Sequence, residues 1–408
     1  MRIHAAPASR ERRAPPAAQC GGRAAGRPQV DFSLSPEQER IRDAIAKLCT
    51  RFDDDYWLKR DREGKFPADF HQAFARDGWL GIAMPEAYGG AGLGISEAAV
   101  MMQAIAESGA GFSGASAVHM NIFGLNPAVV YGTEEQKRRW LPPLIAGKER
   151  ACFAVTEPNT GLNTRNLKTK AVKKGNTYSV SGQKVWISTA QVAEKVLLLA
   201  RADAGLTLFY TDLDRKHVEV REIEKMGRHA VDSNQVFFDA LPVPEADRIG
   251  EEGKGFEYIL HGMNPERILI AAELVGLGRC AVARATKYAK ERIVFDRPIG
   301  QNQSIQHPLA AKWMALEAAN LMAFKAASLY DAGKPCGAEA NAAKYLAGEA
   351  CFDACQQAVM TFGGFGYAAE YHVERYLRES FVGRIAPVSR ELILCFIAER
   401  VLGLPKSY

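Results

Sequence analysis

The chain has 408 residues, of which 47% are hydrophobic and 24% charged, and its formal net charge is +5. This length allows two or three hydrophobic cores, and the composition is typical of a soluble globular protein. No stretch approaches the roughly 20 consecutive apolar residues that a membrane helix needs. Lys and Arg are interleaved with Asp and Glu, which gives no reason to expect a nucleic-acid partner.

Residues 1–30 are rich in Ala, Pro, Gly and Arg, and Glu11 is their only acidic residue. We interpret this segment as a disordered bacterial extension or an over-long start. Its Arg-rich composition also fits a mitochondrial targeting peptide, although Pro15-Pro16 and Gly21-Gly22 would interrupt an amphipathic helix. The predicted compartment is therefore the cytoplasm in a bacterium, or the mitochondrial matrix in a eukaryote.

The pattern from residue 31 to about 150 is helical. Ser35, followed by a proline and by Gln38, predicts a capped helix start. Further helices are predicted over 67–77 and 96–110.

From 151 to 252 the hydrophobic period changes towards two. A short apolar strand over 152–155 leads through a Gly/Asn loop to two alternating strands, which a turn at 173–176 connects. Several short strands separated by turns predict a small antiparallel barrel or sandwich. The absence of βαβ alternation argues against a doubly wound nucleotide-binding fold.

Hydroxyl side chains stand at the predicted strand ends beside one large aromatic residue. Thr156 and Ser188 with Trp186 suit a flat polar heterocycle, because an aromatic wall can cover one face while hydroxyls contact the ring edge. On these residues alone, the alternative is an ordinary β-hairpin with a tryptophan in the core.

Long helices return from 253 to 408, and they are predicted over 256–263, 265–294, 306–332, 337–361 and 389–402. Asn264 and Pro265 either cap a new helix or kink one that begins near Phe256. In both cases Glu266 is expected in a first turn, where the helix dipole favours its ionised form. The alternative is a surface glutamate that caps the helix.

The eight cysteines show no CxxC motif or regular spacing. Cys351 and Cys355 are one helical turn apart, but no His or second Cys pair accompanies them. We therefore predict reduced thiols, a reducing compartment and no metal site. The sequence also lacks HExxH, P-loop and GxSxG motifs.

The stretch 152–190 resembles the flavin signature of the acyl-CoA dehydrogenase family, through Val155-Thr156-Glu157-Pro158, Gly161, Gly182, Lys184 and Trp186-Ile187-Ser188. The resemblance extends from about residue 31 to the end. It implies an α+β fold with an N-terminal helical domain (31–150), a central antiparallel β-barrel (151–252) and a C-terminal four-helix bundle (253–408). It also implies FAD, an acyl-CoA substrate, an electron-transfer flavoprotein as partner, a role in fatty acid metabolism, and a homodimer or homotetramer.

The position of the catalytic base departs from the commoner family pattern. Many members carry a glutamate at the position that Pro387 occupies here, and proline is not a base. A branch resembling isovaleryl-CoA and long-chain acyl-CoA dehydrogenases carries its glutamate on the helix after the barrel, where this chain has Glu266. The resemblance thus implies that Glu266 removes the α-proton while hydride leaves the β-carbon for the flavin.

Pro387 also lacks the backbone N–H that in this family helps to hold the thioester oxygen. Losing such a donor costs on the order of 3 kcal/mol in the transition state. The neighbouring amide of Val388 is a candidate replacement.

The resemblance assigns the other site residues. Those implied for the cofactor are Val155, Thr156, Trp186, Ser188, Arg292, Phe295, Gln303, Gly363, Gly364 and Ser389. Of these, Arg292 and Gln303 match residues that reach the diphosphate and adenosine of a neighbouring subunit's FAD, and an Arg fork suits a diphosphate. Those implied for the substrate are Gly161, Leu162, Asn264 and Arg267.

Three departures from the family pattern keep other functions open. Leu162 lacks a hydroxyl, Met360 replaces a common Gln, and Pro387 replaces an N–H donor. The alternatives are an acyl-CoA oxidase or flavin monooxygenase on the same fold, or a non-catalytic assembly partner.

Overall fold

The computed structural model describes residues 32–122 and 125–407, without the side chains of residues 121 and 122. The predicted extension over 1–30 lies outside the described residues. Within the described residues, no helix has the length and apolar character needed to cross a membrane. The order of elements is helices, then a sheet, then helices, so the predicted α+β architecture is confirmed.

The described chain before the sheet forms α1 (Pro36–Cys49), α2 (Asp54–Glu63), α3 (Ala68–Arg76), α4 (Ile95–Ile105), α5 (Gly111–Ile122), α6 (Asn126–Tyr131) and α7 (Glu134–Ile145). Ser35 caps α1 as predicted, because its hydroxyl accepts from the Gln38 amide while the Gln38 side chain accepts from the Ser35 amide. This reciprocal arrangement satisfies two donors at the helix start. The helix α2 was not predicted.

The central sheet contains β1 (Ala151–Ala154), β2 (Lys170–Lys174), β3 (Thr177–Ser188), β4 (Lys195–Ala202), β5 (Gly205–Asp212), β6 (Val218–Glu222), β7 (Ser233–Pro244) and β8 (Arg248–Ile249). The strand order is β6-β7-β3-β2-β4-β5-β8, and β1 pairs with β4. Most pairings are antiparallel, but β1 and β2 both run parallel to β4, with Ala151 opposite Lys195 and Lys170 opposite Arg201. The sheet is therefore mixed, where turn chemistry alone predicted antiparallel pairing.

The described C-terminal part forms α8 (Gly255–Glu291), a ribbon of β9 (Ile293–Val294) and β10 (Arg297–Pro298), α9 (Gln303–Asp331), α10 (Gly337–Phe362), α11 (Val373–Ser380), α12 (Val382–Ile385) and α13 (Arg390–Phe396). The helix α8 packs against α4, α5, α9 and α10. Ile268 and Leu269 of α8 are fully buried in this core.

The expectation that Glu266 lies in a first turn was wrong. One uninterrupted helix passes through Pro265, and Glu266 lies about three turns after its start at Gly255. Proline removes one backbone hydrogen bond, but the buried helix face on its C-terminal side holds the helix together. The helix dipole consequently does not act on Glu266 through a nearby N-terminus.

A side chain from the C-terminal part caps a helix of the N-terminal part. The Asp331 carboxylate at the end of α9 accepts from the amides of Ile95 and Ser96 at 2.8 and 2.9 Å, and from the Ser96 hydroxyl at 2.6 Å. These bonds satisfy free N–H groups in the first turn of α4.

Candidate active site

Glu266 is buried on α8 and contacts a histidine from α5. Its Oε2 atom lies 2.5 Å from Nε2 of His119, and the other ring nitrogen, Nδ1, lies 2.5 Å from Oε1 of Glu273. Only 5% of Glu266 is exposed, and Glu273 is fully buried. Because the two glutamates are seven residues apart, they share one face of α8. The result is a buried carboxylate–imidazole–carboxylate chain.

The two carboxylates determine the charge of the imidazole. Burial alone would lower the pKa of His119, but the negative charges of Glu266 and Glu273 and their hydrogen bonds raise it to about 10. Burial raises the pKa of Glu273, although the charge of His119 and its hydrogen bond act to lower it. At neutral pH, His119 is therefore an imidazolium between two acidic side chains.

The start of α5 is fixed by a buried ion pair from α11. The Glu379 carboxylate accepts from the amides of Phe112 and Ser113 at 2.6 and 3.2 Å, and from the Ser113 hydroxyl at 2.7 Å. Arg375 pairs with the same carboxylate at 3.2 Å. An anion at a helix N-terminus satisfies free N–H groups there, so α5 is anchored in its first turn.

A guanidinium connects α5 to the end of β3. Ser116 and His119 are three residues apart on α5 and so lie on one helix face. Arg228 donates from Nη1 to the Ser116 hydroxyl at 3.3 Å and from Nη2 to the Ser188 hydroxyl at 2.9 Å. Helix α5 thereby connects to both Glu266, through His119, and Ser188, through Ser116 and Arg228.

The loop after β1 is held by a buried lysine. Nζ of Lys184 donates to the Val155 carbonyl at 2.9 Å and to Glu157 Oε1 at 3.1 Å. Glu157 also accepts from the amides of Lys168 and Thr169. Burial lowers the pKa of Lys184 to about 8, against the attraction of Glu157. This network fixes Val155 and the adjoining Thr156.

Trp186 projects from the sheet instead of joining the core. The β3–β7 pairing is irregular between Lys184 and Ile187, and Trp186 has a left-handed φ of 62°. Its side chain is 60% exposed. Such a backbone is uncommon for a bulky residue and is often found at ligand sites. The alternative of a core tryptophan in an ordinary hairpin was wrong.

A second group of predicted cofactor residues lies at the end of α8 and α10. A cavity of about 460 Å³ is lined by Tyr288, Arg292, Ile299, Thr361, Phe362, Gly363, Gly364 and Phe365. The Arg292 guanidinium lies over the Phe365 ring at 5.5 Å. Phe295 is 93% exposed, and Gln303 is exposed at the start of α9. The residues lining this cavity do not include Trp186, Ser188 or Glu266, so this chain does not unite the two groups in that cavity.

Gly364 is not required by the packing of its own chain. A Cβ atom added to it would meet no atom of the described residues within 4 Å, and it does not have a left-handed φ. Gly363 has a φ of 60° and equally open surroundings. Ser389 has a local role, because it caps α13 by accepting from the Leu392 amide at 3.3 Å.

The predicted substrate residues fall into two places. Arg267 donates to the Met263 carbonyl and to Asn264 Oδ1 at 3.2 and 3.3 Å, and its buried Nε has no partner among the described residues. Burial lowers the pKa of Arg267, against the attraction of Glu266. Gly161 and Leu162 lie in an exposed loop after β1, where 62% of Leu162 is exposed.

The segment around Pro387 offers one backbone donor. The Val388 carbonyl accepts from the buried Lys344 Nζ at 2.6 Å. Within the described chain, the Val388 amide forms no hydrogen bond. It therefore remains the candidate donor for a substrate carbonyl.

Among the described residues, no cluster of three or more His, Cys, Asp or Glu is placed to hold a metal ion. Cys351 and Cys355 are buried free thiols whose sulfur atoms are 4.0 Å apart.

The residues present fit a flavin with an adenine dinucleotide tail. The exposed Trp186 suits the face of the ring, and the hydroxyls of Thr156 and Ser188 suit its edge. The cavity lined by Arg292 suits a diphosphate. Arg228, whose buried Nε has no partner among the described residues, donates from Nη2 to the Ser188 hydroxyl.

Three residues of the site were not found from the sequence: His119, Glu273 and Arg228. The seven-residue spacing of the two glutamates on one helix was a usable signal for Glu273. The contact between α5 and α8 joins residues 154 positions apart. The sequence pattern around either residue does not predict a contact over such a distance in the chain.

Comparisons with known proteins cover most of the described chain. Residues 35–148, 152–241 and 253–402 match the profiles "Acyl-CoA dehydrogenase, N-terminal domain", "middle domain" and "C-terminal domain". The "Acyl-CoA dehydrogenase FadE12" of Mycobacterium tuberculosis is 36% identical over 391 residues, which are 93% of this chain and 99% of that protein.

Two further relatives extend the comparison. The "Caffeyl-CoA reductase-Etf complex subunit CarC" of Acetobacterium woodii is 33% identical over 328 residues, 78% of this chain and 86% of that protein. The solved structure of butyryl-CoA dehydrogenase from Megasphaera elsdenii superposes with a TM-score of 0.86 at 28% identity, covering 91% of this chain and 100% of that one.

Proposed function

The chain belongs to the acyl-CoA dehydrogenase family and is an oxidoreductase of that class, and we propose that it uses FAD to convert an acyl-CoA thioester to the 2-enoyl-CoA. Glu266 is the base that takes the α-proton. When bound, FAD supplies the two-electron acceptor for the hydride that leaves the β-carbon.

One observation carries this proposal: α5 is linked to both the buried carboxylate and the end of β3. Its His119 lies 2.5 Å from Glu266, and its Ser116 accepts from Arg228, which also donates to the Ser188 hydroxyl. A base that is 5% exposed is shielded from water, which strengthens electrostatic interactions within the site. His119 holds the carboxylate in one orientation before the proton arrives.

Binding and orientation of the substrate fall to groups beside the base. Arg267 follows Glu266 on α8, and its buried unpartnered Nε supports a polar contact to the thioester end. The free Val388 amide supports a role as hydrogen-bond donor to the thioester oxygen. Gly161 and Leu162 contact the pantetheine arm in this proposal.

Residues proposed for the FAD ring are Val155, Thr156, Trp186 and Ser188, and those proposed for the diphosphate and adenosine are Arg292, Phe295, Gln303, Gly363 and Gly364. Arg292, Gly363 and Gly364 line the cavity at the end of α8 and α10, and Phe295 is exposed nearby in sequence. These residues are separate from those proposed for the ring. This separation supports a cofactor shared between subunits of a homodimer or homotetramer. Ser389 was also predicted to bind the cofactor, but its side chain caps α13.

An electron-transfer flavoprotein is the proposed electron acceptor. The relative from Acetobacterium woodii is named as a subunit of an Etf complex, which supports this partner. The three matched profiles support domains over 31–150, 151–252 and 253–408.

The test is anaerobic reduction of the bound flavin by a panel of acyl-CoA thioesters, followed by absorbance. Glu266→Gln should retain FAD and lose about 10²–10⁴-fold in the rate of bleaching, as expected on removal of a general base. Glu257→Gln is the matched control, because Glu257 is exposed on the same helix. Wild-type bleaching by Glu266→Gln would refute the assignment of the base.

A further inference from the structure

Arg228 has an unusual set of partners. It lies in the turn between β6 and β7 with a left-handed φ of 56°. Its guanidinium donates to three serine hydroxyls: Ser188 at 2.9 Å, Ser116 at 3.3 Å and Ser233 at 3.3 Å. These serines belong to β3, α5 and β7, so one side chain joins three elements of the site.

The charge of this guanidinium has no ion-pair partner in contact. Among the described residues, no carboxylate lies within 4 Å of Arg228, and its buried Nε has no hydrogen-bond partner. Burial lowers the pKa of Arg228, and the carboxylates that oppose this effect, those of Glu379, Asp232 and Glu273, act from a greater distance.

Neighbouring arginines are paired in the usual way. Arg375 contacts Glu379 at 3.2 Å, and Arg378 contacts Asp61 at 2.6 Å. A partly buried cation without such a partner weakens the fold rather than stabilising it. Stability of the chain therefore does not account for the positive charge of Arg228.

The guanidinium also fixes the direction of the Ser188 hydroxyl. Arginine only donates, so the Ser188 oxygen must accept, and its own proton must point to another acceptor. In the proposed function, Ser188 contacts the edge of the FAD ring. A hydroxyl held in this way is a ready donor to the oxidised ring.

We propose that Arg228 is a positioning residue that stabilises the negative charge of the reduced flavin and orients Ser188 towards the ring. The inference rests on the proposed FAD site. In the overall reaction the substrate loses one proton to Glu266 and one hydride to the ring. The ring gains two electrons and one proton, and so acquires one negative charge.

Arg228 donates to Ser188, the hydroxyl proposed to contact the ring. A cation held there would favour the reduced, negatively charged form of a bound flavin over the neutral oxidised one. Arg228 thus shifts the reduction equilibrium of the bound flavin towards the reduced form. Its effect is electrostatic, so it should appear in the midpoint potential and not only in turnover.

The experiment compares the midpoint potential of bound FAD in wild type, Arg228→Gln and Arg228→Lys, by slow anaerobic reduction against a reference dye. The control is Arg221→Gln, since Arg221 is exposed on β6 and pairs with Glu219. We expect the glutamine variant to lose at least tenfold in the reduction equilibrium constant, which for two electrons is a shift of about 30 mV to more negative potential. The lysine variant should lie between it and wild type, and the control should match wild type.

Every result decides the question. A glutamine variant that holds FAD at the wild-type potential, or a lysine variant as negative as the glutamine one, overturns the proposal. Failure of Arg228→Gln to fold also overturns it, because it would mean that Arg228 is a structural residue. Wild-type protein that binds no FAD would instead refute the proposed function itself. Bleaching by Glu266→Gln would remove only the base assignment.

Discussion

His119 and Glu266 are 147 residues apart in the chain, yet Nε2 of the imidazole lies 2.5 Å from Oε2 of the carboxylate. The contact joins α5 to α8 at the centre of the candidate site. Since the pKa of His119 is raised to about 10, its imidazole is charged at neutral pH. The orientation of the proposed base, Glu266, thus depends on a contact from another helix.

Replacing this histidine should slow proton removal without removing the cofactor. In His119→Gln we expect flavin bleaching by acyl-CoA to slow by about 10²-fold, because a misplaced carboxylate loses its near-attack geometry. FAD content should stay at the wild-type level. The matched control is His261→Gln, because His261 is exposed on α8. A variant that reduces its flavin at the wild-type rate would contradict a positioning role.

The same ion pair should make stability depend on pH. The pKa of His119 is 6.5 unperturbed and about 10 in the folded chain, so folding favours its charged form. The stabilisation is complete below pH 6.5 and is lost as the pH rises through 10. We therefore expect the difference in free energy of unfolding between wild type and His119→Gln to decrease as the pH rises through this range. Urea titrations at several pH values would measure it. A constant difference across that window would show that His119 is not charged in the folded state.

Glu379 is expected to support both the fold and the site. Glu379→Gln leaves Arg375 buried without its ion-pair partner and weakens the cap of α5, at a cost of about 3–5 kcal/mol in the free energy of unfolding. FAD affinity should fall as well, since α5 carries Ser116. In the control Glu374→Gln, a partly exposed pair with Arg378 is lost, with an expected cost of about 0–1 kcal/mol. Equal losses in thermal unfolding for the two variants would argue against the cap.

Gly364 gives a test of the shared cofactor. The Cβ atom of Gly364→Ala meets nothing within 4 Å in its own chain, so the thermal midpoint of the cofactor-free protein should not change. FAD should nevertheless bind about tenfold more weakly or worse, because the backbone here is proposed to approach a neighbouring subunit's cofactor. Gly337→Ala is the control, since its Cβ would lie 3.6 Å from the Phe396 ring in ordinary contact. Wild-type FAD affinity of Gly364→Ala in a fluorescence titration would contradict a close approach of this backbone to a neighbouring subunit's cofactor.

Local chemistry explains which elements the sequence predicted well. The cap of α1 depends on Ser35 and Gln38, three residues apart, and was identified correctly. The helix α2 was missed because it is mostly charged and buries only Trp57 and Asp61, so it lacks an apolar period. Tertiary contacts, not its own pattern, hold it in place.

Long-range packing explains the errors. Pro265 left open a new helix or a kink in one beginning near Phe256, and the buried face of α8 supports the longer helix, which begins at Gly255. The error was to place Glu266 in a first turn. The parallel pairing of β1 with β4 joins Ala151 to Lys195, and turn chemistry between neighbours carries no information on such a pair.

The candidate site divides in the same way. Trp186 and Ser188 lie in one contiguous motif, so the family resemblance pointed to both. His119 and Arg228 reach the site from α5 and from the β6–β7 turn, and their roles depend on contacts that only the fold creates. Sequence reasoning pointed to Glu266 as the base, which stays a prediction, and it assigned no role to the residues that contact it.

The cap that Asp331 places on α4 has a consequence for how the chain can be divided. The amides it satisfies lie more than 230 positions earlier, so neither helical flank contains all the groups that complete it. A fragment ending after the sheet would expose the first turn of α4 to water, and a fragment beginning there would leave a carboxylate with nothing to bind. The helices before and after the sheet thus complete each other, although the sheet lies between them in sequence.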